Sequence, residues 1–146
     1  MNKVILDNSI IVKWYLKDEE YNTEAEKIFS DLRNKKIILV EPLLVYYEFN
    51  NVINIALKRK RLSQDDALKS LSSFSSLPII QYRFLEEHYI HIFENAIKLN
   101  ISSYDSVYIT LSEYMNLPFF TVDKVLIEKS KGFNKNIKYI DEYKID

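Results

Sequence analysis

Apolar residues along this chain follow two rhythms. Short uninterrupted runs alternate with longer segments whose apolar positions recur every three or four residues. Val4-Ile5-Leu6, within residues 3–6, is the first short run and suits a strand buried on both faces of a parallel sheet. Residues 10–16 then read as a short helix. Residues 22–34 read as a longer one, with Ala25, Ile28, Phe29 and Leu32 on one face. Residues 37–40 predict a second strand, and Pro42 suits the first turn of a helix running to about Arg61. Ser63-Gln64-Asp65-Asp66 has the pattern of a capping box, opening a helix that continues into the serine-rich residues 72–76.

Residues 78–80 predict a third strand. Residues 84–99 predict a helix that turns Leu85, Tyr89, Ile92, Ala96 and Leu99 inward. Ser102 or Ser103 caps a helix over residues 104–115. A strand over 118–122, a helix over 124–131 and a strand over 137–140 complete the series. Strands that alternate with helices imply an α/β fold, a three-layer α/β/α sandwich around a mainly parallel sheet. In such sheets ligands bind beyond the carboxyl ends of the strands.

The chain has 146 residues, the size of a single domain, so we expect one domain over 1–146. A domain this long buries about 68–70% of its unfolded surface and stands without disulfides or a structural metal. Cysteine is absent, which excludes thiolate zinc sites and cysteine nucleophiles. Residues 37–49 form the greasiest stretch, but Glu41, Pro42 and Glu48 break it, so no membrane span is expected. With no signal-peptide profile ahead of the first strand, the expected location is cytoplasmic. A net charge of −1 argues against nucleic-acid binding dominated by electrostatics, although Lys58-Arg59-Lys60-Arg61 offers a local basic patch. Those four cations equally suit the C-terminus of a helix.

Four acids stand where a solvated carboxylate has no evident reason to be. Asp7 ends the first strand and Asp123 closely follows Phe119-Phe120-Thr121-Val122. Asp105 opens a helix. Glu48 lies on a helix with Leu44, Val52 and Ile55 at the i−4, i+4 and i+7 positions and Asn51 at i+3. Asp7 and Asp123 each precede a helix and suit an N-cap, and Asp105 suits the positive end of a helix dipole. Glu48 has an ordinary use too, at a helix edge facing water or a lysine. Three caps and a misplaced glutamate around one sheet edge are less easily set aside. Converged, the four cannot all stay ionised without a counterion, and a divalent cation held by oxygens is the simplest. Ser9 and Thr121 add hydroxyls beside two of the acids.

Other chemistry is poorly represented. His88 and His91 are spaced i, i+3 without a third ligand, which predicts a surface or interface role rather than zinc. The single glycine, Gly132, excludes glycine-rich phosphate loops. On the helix that carries Glu48, the opposite side bears Tyr46, Phe49, Ile53 and Leu57, which suggests a subunit or partner interface. An aspartyl-phosphate enzyme of the dehalogenase type would want an aspartate where Ser9 stands. A receiver domain would want an acidic pair where the chain reads Asp7-Asn8.

Four segments resemble, in order and spacing, the motifs of PIN-domain proteins, particularly the VapC-type toxins of toxin–antitoxin pairs. They are Val4-Ile5-Leu6-Asp7-Asn8-Ser9-Ile10-Ile11-Val12-Lys13-Trp14, Glu41-Pro42-Leu43-Leu44-Val45-Tyr46-Tyr47-Glu48-Phe49-Asn50-Asn51-Val52, Ser103-Tyr104-Asp105-Ser106-Val107-Tyr108-Ile109 and Phe120-Thr121-Val122-Asp123-Lys124-Val125-Leu126. The resemblance implies a PIN fold and Mg²⁺- or Mn²⁺-dependent endoribonuclease activity on an RNA substrate. It also implies a homodimer and inhibition by a VapB-like antitoxin. Asp7, Glu48, Asp105 and Asp123 match the family's acidic quartet, and Ser9, Asn51 and Thr121 its accessory polar positions. Many relatives carry glycine before the fourth strand where this chain has Asn116, which tolerates the left-handed conformation. Residues 62–99 carry no family motif. The rival within the family is a catalytically silent PIN scaffold that binds RNA or a protein partner.

Overall fold

The structure is a computed structural model that describes residues 1–20 and 22–145. Positions 21 and 146 of the expected single domain lie outside the described residues. Five parallel strands form one sheet in the order β3-β2-β1-β4-β5. The strands are β1 (Asn2–Leu6), β2 (Ile37–Pro42), β3 (Ile79–Tyr82), β4 (Phe119–Thr121) and β5 (Ile137–Tyr139). Among the described residues seven α-helices accompany them: α1 (Asn8–Ile11), α2 (Thr23–Arg33), α3 (Leu44–Lys58), α4 (Gln64–Ser75), α5 (Glu86–Leu99), α6 (Ser103–Met115) and α7 (Lys124–Lys129). The architecture is the expected three-layer α/β/α sandwich. β1 lies at its centre, between β2 and β4, which explains its unbroken apolar run.

Local chemistry accounts for most helix ends. Asn22, Ser63 and Ser102 accept backbone N–H bonds from Ala25, Asp66 and Asp105 at 2.8, 3.1 and 3.0 Å. Asn100 and Asn116 end α5 and α6 in the left-handed conformation, with φ of 53° and 51°, where a short polar side chain is tolerated. Three expectations need correction. Pro42 does not open α3; it closes β2, opposite Tyr82, and the helix begins two residues later. Residues 10–16 do not form one helix, because a short α-helical turn passes into a 3₁₀ turn over Val12–Trp14. The inward face of α5 is rotated. Ile92, Ala96 and Leu99 are buried with His88 and Asn95, whereas Leu85 and Tyr89 are exposed.

The core runs through both helical layers. Phe49 and Phe74 stack at 4.2 Å between ring centroids, with Tyr15 edge-on to both. This cluster overturns the expectation for α3: its Phe49 and Ile53 side is the interior, covered by α4, not an interface. The exposed apolar stripe belongs to α5, where Ile90, Phe93 and Ile97 are 66%, 59% and 65% accessible.

Candidate active site at the carboxyl edge of the sheet

Parallel pairing places the ends of β1, β2 and β4 side by side, so residues just beyond them converge by topology alone. Asp7 follows β1 and caps α1, one carboxylate oxygen accepting the Ser9 N–H at 3.4 Å. Its other oxygen accepts the Thr121 hydroxyl from the end of β4 at 2.6 Å. The Thr121 oxygen also accepts the Asp123 N–H at 3.0 Å, so one side chain ties two of the acids together. Asp123 caps α7, its Oδ1 accepting the N–H groups of Val125 and Leu126 at 2.9 and 3.0 Å. Its second oxygen makes no bond within the described residues.

Asp105 occupies the first turn of α6, half-buried, its N–H held by Ser102. Glu48, on α3, is half-buried, and the Tyr108 hydroxyl donates to its Oε1 at 2.5 Å. The four predicted acids therefore share one edge of the sheet, close enough for their charges to act on one another. Burial raises the carboxyl pKa of Asp7, and the charge on Asp123 adds to it, against the hydrogen bonds from Thr121 and Ser9. Glu48 is raised by burial and by the charges of Asp7 and Asp105, against the bond from Tyr108. Asp105 is raised by burial and by Asp7 and Asp123, against the hydrogen bond to Ser102 and the charge of Lys129.

Among the described residues none of these four acids is ion-paired to Lys, Arg or His. Nor do any three Asp, Glu or His side chains surround one point tightly enough to chelate an ion without help. The donor chemistry is nevertheless that of a hard cation: only oxygens, short of positive charge. Mg²⁺ in particular takes one or two carboxylates and keeps several waters.

The PIN domain family model matches residues 4–132. The chain belongs to the PIN domain family. PIN domains are generally nucleases and typically use divalent metals. No curated protein sequence matches this PIN-domain chain. Solved structures that share its fold include the following three. PAE2754 from Pyrobaculum aerophilum is 17% identical, with a TM-score of 0.66 over 97% of this chain and 85% of that one. A toxin–antitoxin complex from Klebsiella pneumoniae is 12% identical, with a TM-score of 0.61 over 97% and 99%. FitAcB from Neisseria gonorrhoeae is also 12% identical, with a TM-score of 0.60 over 87% and 92%.

Not every expected residue reaches this edge of the sheet in the same way. Thr121 does so directly. The Ser9 hydroxyl is buried without a partner, and Asn51 is exposed on α3 one turn beyond Glu48. His88, expected at the surface or an interface, is 3% accessible. Its Nδ1 accepts the Leu85 N–H at 3.0 Å and its ring packs edge-on against Tyr114. His91 pairs with Glu113 instead. The basic patch is reduced, because Arg61 is held by Asp18 and Glu19 at 2.8 and 3.0 Å.

Two residues with evident roles were given none by sequence reasoning. Tyr108, one turn beyond Asp105 on α6, holds Glu48, and burial with the charges of Glu41 and Glu48 raises its phenol pKa. Glu41 is fully buried at the end of β2. Its only sequence signal was an acid interrupting a continuous apolar strand. Among the described residues no helix is long and apolar enough to cross a membrane.

Proposed function

We propose that this chain is a Mg²⁺- or Mn²⁺-dependent endoribonuclease of the cytoplasm, the VapC-type toxin of a toxin–antitoxin pair. The observation that carries this reading is the edge shared by Asp7, Glu48, Asp105 and Asp123, where burial and neighbouring acids raise the carboxyls of Asp7, Glu48 and Asp105 and none of the four is ion-paired among the described residues. Asp7, Asp105 and Asp123 would hold the cation, Glu48 reaching it through water. When bound, the ion supplies a more acidic water and neutralises charge on the phosphate. Thr121 fixes one Asp7 oxygen and the backbone of Asp123, which sets the spacing of two ligands. Tyr108 fixes Glu48, which orients the attacking water and accepts its proton. Neither histidine lies among these acids, which disfavours cleavage by a ribose hydroxyl with histidine acid–base catalysis.

The partners follow from two surfaces. A groove of about 580 Å³, lined by Pro42, Leu44, Tyr82, Phe84, Tyr104 and Val107, lies beside Asp105 and suits an apolar helix of a VapB-like antitoxin. The α5 stripe of Ile90, Phe93 and Ile97 suits a second copy. Glu86 and Glu87 open that helix and Lys98 closes it, so an antiparallel pairing sets opposite charges against each other around Phe93.

The test is cleavage of total RNA with Mn²⁺, with chelator, and with Asp7→Asn or Asp105→Asn. Cleavage that stops with chelator and falls at least about 100-fold in either variant, a rise of about 2.7 kcal/mol in the barrier, supports the reading. Cleavage that survives both would refute it. A silent scaffold would leave RNA intact under every condition.

A further inference from the structure

Glu41 is an acid with no place in a strand interior. It is 0% accessible at the end of β2, in a strand whose other buried residues are apolar. The hydrogen-bonding rhythm of β1 explains what it does there. Along β1 the N–H groups alternate: those of Ile5 and Asp7 bond Pro118 O and Phe120 O of the β4 side, both at 2.9 Å. That of Asn2 turns the other way, to Lys36 O before β2 at 3.0 Å. Leu6 N–H therefore faces β2 as well, but the paired register between β1 and β2 runs from Asn2↔Ile37 only to Val4↔Leu39. Beyond it a central, buried N–H would lack an acceptor, which is costly in a sheet interior. Glu41 Oε1 accepts it instead, at 2.8 Å, across 35 residues of sequence.

We propose that Glu41 is a positioning residue: its side-chain oxygen replaces the missing strand pairing at Leu6 and so holds the adjacent Asp7 in place. Asp7 is then braced from both neighbouring strands. Phe120 O and the Thr121 hydroxyl grip it from β4, and Glu41 grips the residue before it from β2. The role needs an acceptor oxygen at that reach, not a negative charge. Consistent with this, the second oxygen, Oε2, is buried without a partner, and burial beside Asp7 and Glu48 favours the neutral acid. An ion pair or a chelating carboxylate would not need the reach to Leu6 that Glu41 shows.

This inference rests on the nuclease reading for its consequence but not for its geometry, and the experiment separates the two. Glu41→Gln keeps the acceptor oxygen without the charge, and Glu41→Met fills similar space without an acceptor. In each, exchange of the Leu6 amide is followed by NMR, and Mn²⁺ affinity by electron paramagnetic resonance. The expected result is fast Leu6 exchange and about tenfold weaker Mn²⁺ binding in Glu41→Met, with both restored in Glu41→Gln. Should Glu41→Met fail to fold, Glu41→Asn, which keeps an amide but falls one methylene short, takes its place. Unchanged Leu6 protection and Mn²⁺ affinity in the acceptor-deficient variant overturns the proposal, as does a Glu41→Gln protein as impaired as Glu41→Met. If the unaltered protein binds no Mn²⁺, the nuclease reading falls while the exchange data still judge the brace.

Discussion

The Tyr108 hydroxyl donates to Glu48 Oε1 at 2.5 Å, joining α6 to α3 across 60 residues of sequence. Bonds to a charged acceptor are short and among the stronger in proteins. This one stabilises the ionised carboxylate of Glu48 against the burial that opposes it. Tyr108→Phe keeps the ring, which stacks on Phe119 at 5.6 Å between centroids, and removes only the donor. The expected outcome is a loss of about 1.5–3 kcal/mol in stability at neutral pH. The acidic limb of the pH–activity profile moves to higher pH, because Glu48 loses what kept its proton affinity down. Denaturant titration and a pH–rate series check the two effects separately.

Thr121 holds Asp7 and Asp123 with a single hydroxyl. Thr121→Val preserves shape in a fully buried position and deletes both bonds. Mn²⁺ affinity is expected to fall about 10- to 100-fold, the usual scale for a group that orients a metal ligand. Isothermal titration of the folded variant measures it, and an affinity equal to that of the parent protein would remove Thr121 from the site.

Asp7, Glu41, Glu48 and Asp105 all keep their protons to higher pH folded than unfolded. Between the ordinary carboxylate range, about pH 4, and those raised values, the native protein binds more protons than the unfolded chain. Stability from these groups is complete below that range and is lost as pH rises through the folded values. The metal-free protein is therefore expected to melt at a lower temperature at pH 7.5 than at pH 5.5. Asp7→Asn should flatten the difference, and added Mn²⁺ should raise the pH 7.5 value by binding the native state. Thermal denaturation in chelator would contradict this account if the midpoint rose with pH.

Phe93 sits mid-stripe on α5, 59% accessible, in a helix whose termini carry opposite charges. Phe93→Glu places like charges across the centre of any symmetric pairing. The expected result is conversion of a dimer to a monomer in light scattering, with the circular dichroism spectrum unchanged. A parent protein that is already monomeric would remove the second copy from the proposal.

Much of this architecture was legible in the chain. Strands buried on both faces announce themselves as unbroken apolar runs, and Asn22, Ser63 and Ser102 name their own helix starts. Asn116 bends left-handed where expected, since that preference resides in the residue itself. Errors arose where partners outside the local sequence decide. Pro42 has the fixed φ of a helix start, yet pairing with β3 keeps it in a strand. The apolar side of α3 looked like an interface because one sequence does not reveal that Phe74, on another helix, covers it.

The sequence alone determined which acids stand at strand ends and helix starts, because periodicity and capping are properties of neighbouring residues. Which strands adjoin was decided only by the tertiary structure. That adjacency brings Thr121 to Asp7, Tyr108 to Glu48 and Glu41 to Leu6, across 114, 60 and 35 residues. A hydrogen bond depends on separation in space, and no local pattern encodes where a side chain 100 or so residues away will point. The carboxylates at this edge could be read from the chain, whereas the contacts that hold them could not.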